Sequence, residues 1–522
     1  MPTLSNVNTS DIGSAIELGC KTMSGVFNAD DNDIPFFASE VLPNPQLSFS
    51  RIHGESHVPG RHLNALLTAE DIAGIAISEE TVKKHSAAAF FSFSGSAPLP
   101  LNRDNLGGPL VNFNEHNIRE GFHALYALVQ YRGSDRAAEL AEASITFLLE
   151  LWKPENGWDW ERLETDFGLR AARGHTFITG IARAIGPLVK YYRSTRYGPA
   201  LELAMTLGSK AIDEFFLPDG AYDREKFGTH THSTTSVMSS LAQLADITAD
   251  SALLERIKAF YDNGLWSIRD EIGWVIESSN GNSPPDRGEC NNTGDIVETA
   301  LVLGKYGYPE YFQDAERIIR GHLLPAQLRD NSFIPEPANP SSNNGLHQIA
   351  KRHLGAFGFP APYGHRPLGL ERISFNMDIV GGAVASLCEV LRQSAVTIER
   401  GHVVNMMFDR QSEFLHVKAA LNNSGVIATP LKPGPLWVRL PTWVDRTKLS
   451  VNGAAKFQVI NDYILIAEAQ KGVPAEVTYP VSESELVLRH RTRDIRARLQ
   501  GDTVVSMDNF GAELTFFPST DH

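Results

Sequence analysis

The stretch NFNEHNIREGFHALYALVQYRGSDRAAELAEASITFLLELW, residues 112–152, shows the unit from which most of the chain is built. Apolar residues recur every three to four positions on both sides of Gly133, which places them on one face of each of two helices. Asp135 opens the second helix and glycine ends the first. The same pattern continues in HTFITGIARAIGPLVKYY from His175, PALELAMTLGSKAIDEFF from Pro199, DIVETALVLGKYG from Asp295 and YFQDAERIIRGHLLPAQL from Tyr311. A polar residue suited to opening a helix recurs at His57, His116, His175, His232 and Asn291, at intervals of 59, 59, 57 and 59 residues. That interval is two helices plus two loops. It exceeds the roughly 33–47 residues of common helical repeats. About twelve helices between residues 10 and 395 predict six helix pairs closed into an (α/α)6 barrel, with equivalent loops sharing one rim.

The tail has a different period. LWVRLPTWV, KLSVNG, YILIAEA, AEVTYPV and DTVVSMDN are short alternating runs divided by Gly, Asn, Asp or Pro, the pattern of strands. The expected organisation is mainly α with a C-terminal β domain: a barrel over 1–395 and a β-sandwich over 396–522. The 522 residues carry a net charge of −15, which argues against a nucleic-acid backbone as partner. No run of about 18 apolar residues suggests a membrane span. The opening twenty residues lack a basic segment followed by an apolar run, so no signal peptide is read and a cytoplasmic location is expected. A homodimer is the assembly expected. Cys20, Cys290 and Cys388 are too few and scattered for a disulfide framework. GxGxxG, GxxxxGK[ST] and GxSxG are all missing, so no cofactor is expected.

Three stretches stand out: Gly174-His175-Thr176 with the AIGPLVKYYRSTRYGPALELA that follows, ECNNTGDIVETALVLGKYGYPEYFQDAERIIRGHLLPAQ from Glu289, and LWVRLPTWVDRTKLSVNG from Leu436. Together they resemble glycoside hydrolase family 127, whose founding activity is β-L-arabinofuranosidase. The resemblance implies an (α/α)6 barrel with a β-sandwich and carbohydrate substrates. The family's founding enzymes use a zinc-bound cysteine, held by a Glu-x-Cys pair and a later Cys-Cys pair. Here Cys290 is present, Gly288 stands two residues before it, and the Cys-Cys pair falls near Phe375 and Asn376. The chain therefore looks like a divergent branch without that thiolate site, and chelators are expected to leave its activity intact.

Glycoside hydrolysis generally needs two carboxyl groups across the glycosidic bond. Glu277 is the expected acid, because it follows Trp274 in an apolar context that raises a carboxyl pKa. Asp286 and Glu289 are nearby alternatives. Glu289 precedes a helix start, where the macrodipole favours the ionised form and hence a base or a clamp. His175 and His232 complete the catalytic candidates. The loops upstream of successive helix pairs carry Trp158-Asp159, Tyr222-Asp223 and Trp274, read as stacking walls with hydroxyl-binding acids. Glu115 and His116, Arg173, His230, Cys290 with Asn291, and His365 with Arg366 are further binding candidates. His230-x-His232 is a short and common pattern, and no metal is assigned to it.

The leading expectation is a glycoside hydrolase releasing a terminal sugar, an arabinofuranoside or a uronic acid, from an oligosaccharide or glycoside. One alternative is a lyase eliminating at a uronate, with His175, His232 or Tyr222 as base and Arg173 or Arg366 neutralising the carboxylate. A sugar-binding relative without activity is the other.

Overall fold

The computed structural model describes residues 3–420, 424–453 and 456–520. Twelve long helices form the front of the molecule: α1 (Ile12–Met23), α2 (Val58–Ala73), α3 (Glu79–Ser92), α4 (Ile118–Arg132), α5 (Asp135–Leu151), α6 (Ile185–Thr195), α7 (Gly198–Glu214), α8 (Thr231–Thr248), α9 (Ser251–Asp262), α10 (Cys290–Lys305), α11 (Pro309–Ile318) and α12 (Met377–Ser394). The even-numbered helices pack each on the next, and α12 returns to α2, which closes a ring. Outside it, α3, α5, α7, α9 and α11 each lie on the preceding inner helix, and α1 covers α12. This is the expected (α/α)6 barrel, completed by the chain's first and last helices.

Burial separates the two rings. An outer helix such as α5 buries one stripe, Ala137, Ala141, Ser144, Ile145, Leu148 and Leu151, as an amphipathic helix should. An inner helix is enclosed on all sides, and every residue of α8 from Thr231 to Ala242 is buried. Inner helices also approach closely. A Cβ on Gly60 of α2 would lie 1.7 Å from the carbonyl oxygen of Glu120 on α4, so only glycine fits there.

Helix starts differ as well. Asp11, Ser78, Ser134 and Asp250 cap the outer helices α1, α3, α5 and α9 through their side chains. None of the six inner helices has a side-chain cap. Their first turns converge on one rim, where the polar residues of the repeat lie. Among the described residues no helix is long and apolar enough to cross a membrane.

After α12 come β1 (Ala395–Ile398), β2 (Gly401–Val404), β3 (Arg410–Gln411), β4 (Leu415–Ala419), β5 (Gly425–Pro430), β6 (Gly434–Arg439), β7 (Ser450–Asn452), β8 (Gln458–Ile460), β9 (Tyr463–Ala469) and β10 (Ala475–Thr478). They form two five-stranded sheets, ordered β1-β2-β6-β9-β8 and β3-β4-β5-β10-β7. Inward residues such as Val417, Ala428, Leu436, Val438, Ile464 and Val477 make their shared core. The joint to the barrel is polar. Arg439 of β6 donates to Gln313 and Glu316 of α11, both at 2.6 Å.

The sandwich is shorter than the expected 396–522. Strands β11 (Glu483–Leu488), β12 (Ile495–Gln500) and β13 (Thr503–Met507) form a separate three-stranded sheet. Leu488, Ile495, Leu499, Val504 and Phe516 belong to the barrel's apolar core, not to that of the sandwich. Alternation alone marks a strand but does not say which core receives its apolar face.

Candidate functional site

At the rim of the uncapped helices lies a cavity of about 610 Å³. Its walls include Arg51, His53, Asp104, Phe113, Asn114, His116, Arg170, His175, Thr179 and His230. A small sheet made of Leu101–Arg103, Leu110–Phe113 and Arg170–Ala171 carries one side. The imidazoles form a contiguous group. His116 stacks on His57 and His175 with centroids 5.8 and 5.9 Å apart, and meets His230 edge-on at 5.0 Å. His53 and His57 both donate from Nδ1 to Asn117 Oδ1, at 2.9 and 3.0 Å, while Asn117 Nδ2 is spent on the Ile52 carbonyl. His116 Nδ1 donates to the Thr179 carbonyl at 2.8 Å. Burial, and nearby charge from Arg183 and the other histidines, hold His116 well below its ordinary range and His230 at about 3. His53, which burial also holds at about 3, His116 and His230 are therefore neutral at pH 7, each with a lone pair to offer.

Below the imidazoles is a floor of carboxylates and guanidiniums. Glu120, fully buried, accepts from Arg61 at 2.9 Å and Arg183 at 2.8 Å. Despite burial, those charges with His57 and Arg119 hold it well below the carboxylate range. Asp378 Oδ2 lies 3.1 Å from His57 Nε2 and 3.2 Å from Arg61 Nε. Burial opposes its ionisation, but these partners hold it at about 2. Its other oxygen, Oδ1, has no hydrogen-bond partner among the described residues.

Glu277 behaves oppositely. It is partly exposed, and desolvation raises it against the pull of Arg287, whose Nε is 3.0 Å away. Glu289 is pushed to about 8, first by burial and then by the charges of Glu277 and Asp378. The helix start expected to keep Glu289 ionised is outweighed, because complete desolvation costs more than a helix terminus returns.

Several sequence candidates meet here. His232 lies between Glu289 Oε1 (3.7 Å from Nδ1) and Asp295 Oδ2 (3.4 Å from Nε2). Asn291 donates to Glu289 at 3.0 Å. Glu115, raised to about 7 by burial, accepts from Trp158 Nε1 at 2.8 Å behind the wall that holds His116.

Other candidates serve structure instead. Trp158 packs on Phe113 and Trp160, and Trp274 is buried against His490 with Nε1 donating to the Pro360 carbonyl at 2.8 Å. Neither indole offers a face for stacking. Tyr222 bonds Ser279 at 3.1 Å and packs on Phe227. Asp159 and Asp223 cap the short helices Trp160–Thr165 and Arg224–Phe227, the commonest work of an Asp just before a helix. Arg173 is exposed and paired with Glu164. Asp286 accepts from His490 at 2.8 Å and Tyr363 at 2.7 Å, which ties its loop to the tail sheet. His365 packs on Phe375 and Phe516, and Arg366 pairs with Glu513.

The thiolate–zinc arrangement does not fit these residues. Cys290 is fully buried with its thiol pushed up to about 12, and Cys20 and Cys388 lie in the packing of α1 on α12. Phe375 is buried among aromatic rings.

Residues that sequence reading passed over include His53, Glu120, Arg183 and Asp378. Asp378 is the second residue of α12, the position that His232 and Asn291 hold in α8 and α10. It is the sixth member of the repeat. Its interval from Asn291 is 87 residues, because a long segment intervenes between α11 and α12.

Solved structures share this architecture over nearly the whole chain. A glycoside hydrolase family 127 β-L-arabinofuranosidase from Geobacillus stearothermophilus T6 aligns with a TM-score of 0.57 at 13% identity, covering 94% of this chain and 80% of that one. A second family 127 β-arabinofuranosidase gives 0.54 at 14% identity, covering 94% and 79%. A further glycoside hydrolase gives 0.55 at 12% identity, covering 92% and 84%. At these identities the likeness is one of fold. No family model matches the chain, and no curated protein matches it.

Proposed function

We propose that the protein is a glycoside hydrolase that releases a terminal sugar, with Glu277 as general acid and Asp378 as the opposing base or nucleophile. The observation that carries this is the divergence of two carboxyl groups flanking Glu289. Desolvation raises Glu277, and His57 with Arg61 holds Asp378 ionised. Paired carboxyl groups pushed apart by their surroundings are how one site runs acid and base chemistry together. Asp378 also keeps an unbonded oxygen. The neutral imidazoles of His53, His116, His175 and His230 supply acceptors for sugar hydroxyls, and the fold shared with β-L-arabinofuranosidases supports a carbohydrate substrate.

Glu277→Gln and Asp378→Asn should each lower kcat on a responsive aryl glycoside by at least ~100-fold with the fold intact, the usual scale of acid–base catalysis. Near-normal turnover of either variant would refute its role. A second reading is favoured by the arginines at the mouth, Arg51 and Arg170, beside unprotonated imidazoles. That arrangement suits elimination at a uronate. A product with the absorbance of an unsaturated uronate, formed without incorporation of water, would replace hydrolysis with this chemistry.

A further inference from the structure

We propose that His230, His232 and Glu289 bind one first-row divalent metal ion, with zinc as the best match to their donor atoms. One donor atom from each lies within 4.8 Å of the others. His232 Nδ1 and Glu289 Oε1 are 3.7 Å apart. Two ligands about 2.1 Å from a tetrahedral ion stand about 3.4 Å apart, so the pair needs only a small closure.

The atoms behind these ligands are arranged as they are behind metal-bound histidines. His232 Nε2 faces Asp295 Oδ2 at 3.4 Å, which directs its N–H outward and leaves the Nδ1 lone pair towards Glu289. Arg61 Nη2, also 3.4 Å from Nε2, is then only in contact. His230 Nδ1 bonds Ser233 Oγ at 2.8 Å, leaving Nε2 for a ligand bond.

Glu289 is not committed to a protein cation. Glu289 accepts from neutral Asn291, and among the described residues no lysine or arginine pairs with it. Glu277 and Asp378 are close enough to act on it electrostatically. Two helix N-termini, those of α8 and α10, and the guanidiniums of Arg61 and Arg183 oppose a cation at this point, so the site rests on its donor atoms and their spacing. His230 also lines the large cavity, so the remaining coordination positions open where a sugar hydroxyl or water would lie. That is the pattern of an open site rather than a closed structural one. No cysteine takes part, and the expectation that missing thiolates mean no metal is replaced.

This inference does not depend on the hydrolase reading, because binding is measured without substrate. The full-length protein, free of any histidine tag and dialysed against a chelator, is titrated with Zn²⁺ by calorimetry and with Co²⁺ by visible absorption. One ion per chain is expected. His230→Ala and Glu289→Gln should weaken binding at least ~100-fold, and Asp295→Asn should weaken it about 10- to 100-fold without removing a ligand. Circular dichroism confirms that each variant is folded. His230, at the cavity wall, serves if an interior variant is not. Wild-type protein that shows no saturable binding overturns the site, as does stoichiometric binding unchanged in His230→Ala and Glu289→Gln. Binding without glycoside hydrolysis keeps the site and removes the hydrolase; hydrolysis without binding does the reverse.

Discussion

At the centre of the sandwich, Leu436 and Val477 are enclosed by aliphatic neighbours such as Val438, Ile464 and Val426. At the centre of the barrel, Glu120 is equally buried but is surrounded by Arg61, Arg119, Arg183 and His57. The first interior gains free energy simply by leaving water. The second must recover a desolvation cost through pairing, and such networks often stabilise a fold no better than apolar packing would. The barrel axis thus retains a costly arrangement, while the sandwich keeps the inexpensive one. Shape alone does not require that difference, since six helix pairs could close over an apolar axis.

Four substitutions or conditions test the comparison, beginning with the largest effect. Glu120→Gln leaves Arg61 and Arg183 without their shared carboxylate, and should cost about 3–5 kcal/mol with loss of activity. Leu436→Ala removes only packing, and should cost about 2–5 kcal/mol while each folded molecule keeps full activity. Denaturant titration with kinetics on both variants separates the outcomes. Activity falling equally in the two would erase the functional distinction.

Acidification should find the same boundary. Burial holds His53, His230 and His365 at about 3 and His62 at about 4. Unfolded histidine titrates near 6.5. The unfolded chain therefore binds more protons below that pH, and the stability present above about 6.5 is lost as pH falls towards these folded values. Glu289 and Asp270, raised to about 8, and Asp295, raised to about 7, act in the opposite sense. The depressed histidines are the larger set, and those named are all in the barrel. Hydrogen exchange at pH 7 and pH 5 should show protection falling first in α2 and α8. Earlier loss in β6 and β10 would contradict this.

The smallest effect concerns a misleading sequence signal. Asp159 caps a short exposed helix, so Asp159→Ala should cost about 1 kcal/mol at most and leave kcat unchanged. A large fall in kcat would return it to the site.

The repeat was legible because His57, His116, His175 and His232 keep an even spacing in sequence, although the inner helices nearest them start at Val58, Ile118, Ile185 and Thr231, at unequal intervals. Asp378 was hidden by the long segment before α12, although it sits at the same place in its helix as His232. The aromatic–acid loops misled for a different reason. Gly-aromatic-Asp before a short helix is also the signature of a packed turn with an Asp cap, and local sequence cannot separate the two. Asp286 shows the limit most plainly, since its partner His490 lies 204 residues away in the loop between β11 and β12.

Periodicity in the sequence by itself determined the two architectures, because 3.6-residue and 2-residue patterns are local properties that each segment carries alone. It also singled out a family of histidines that share one rim of the ring. Only the tertiary structure decided the chemistry of the floor. The protonation of Glu277, Glu289 and Asp378 depends on burial, on Arg287, and on charges that α12 and the start of α2 bring together. Closing the ring sets those distances, and no single segment contains them.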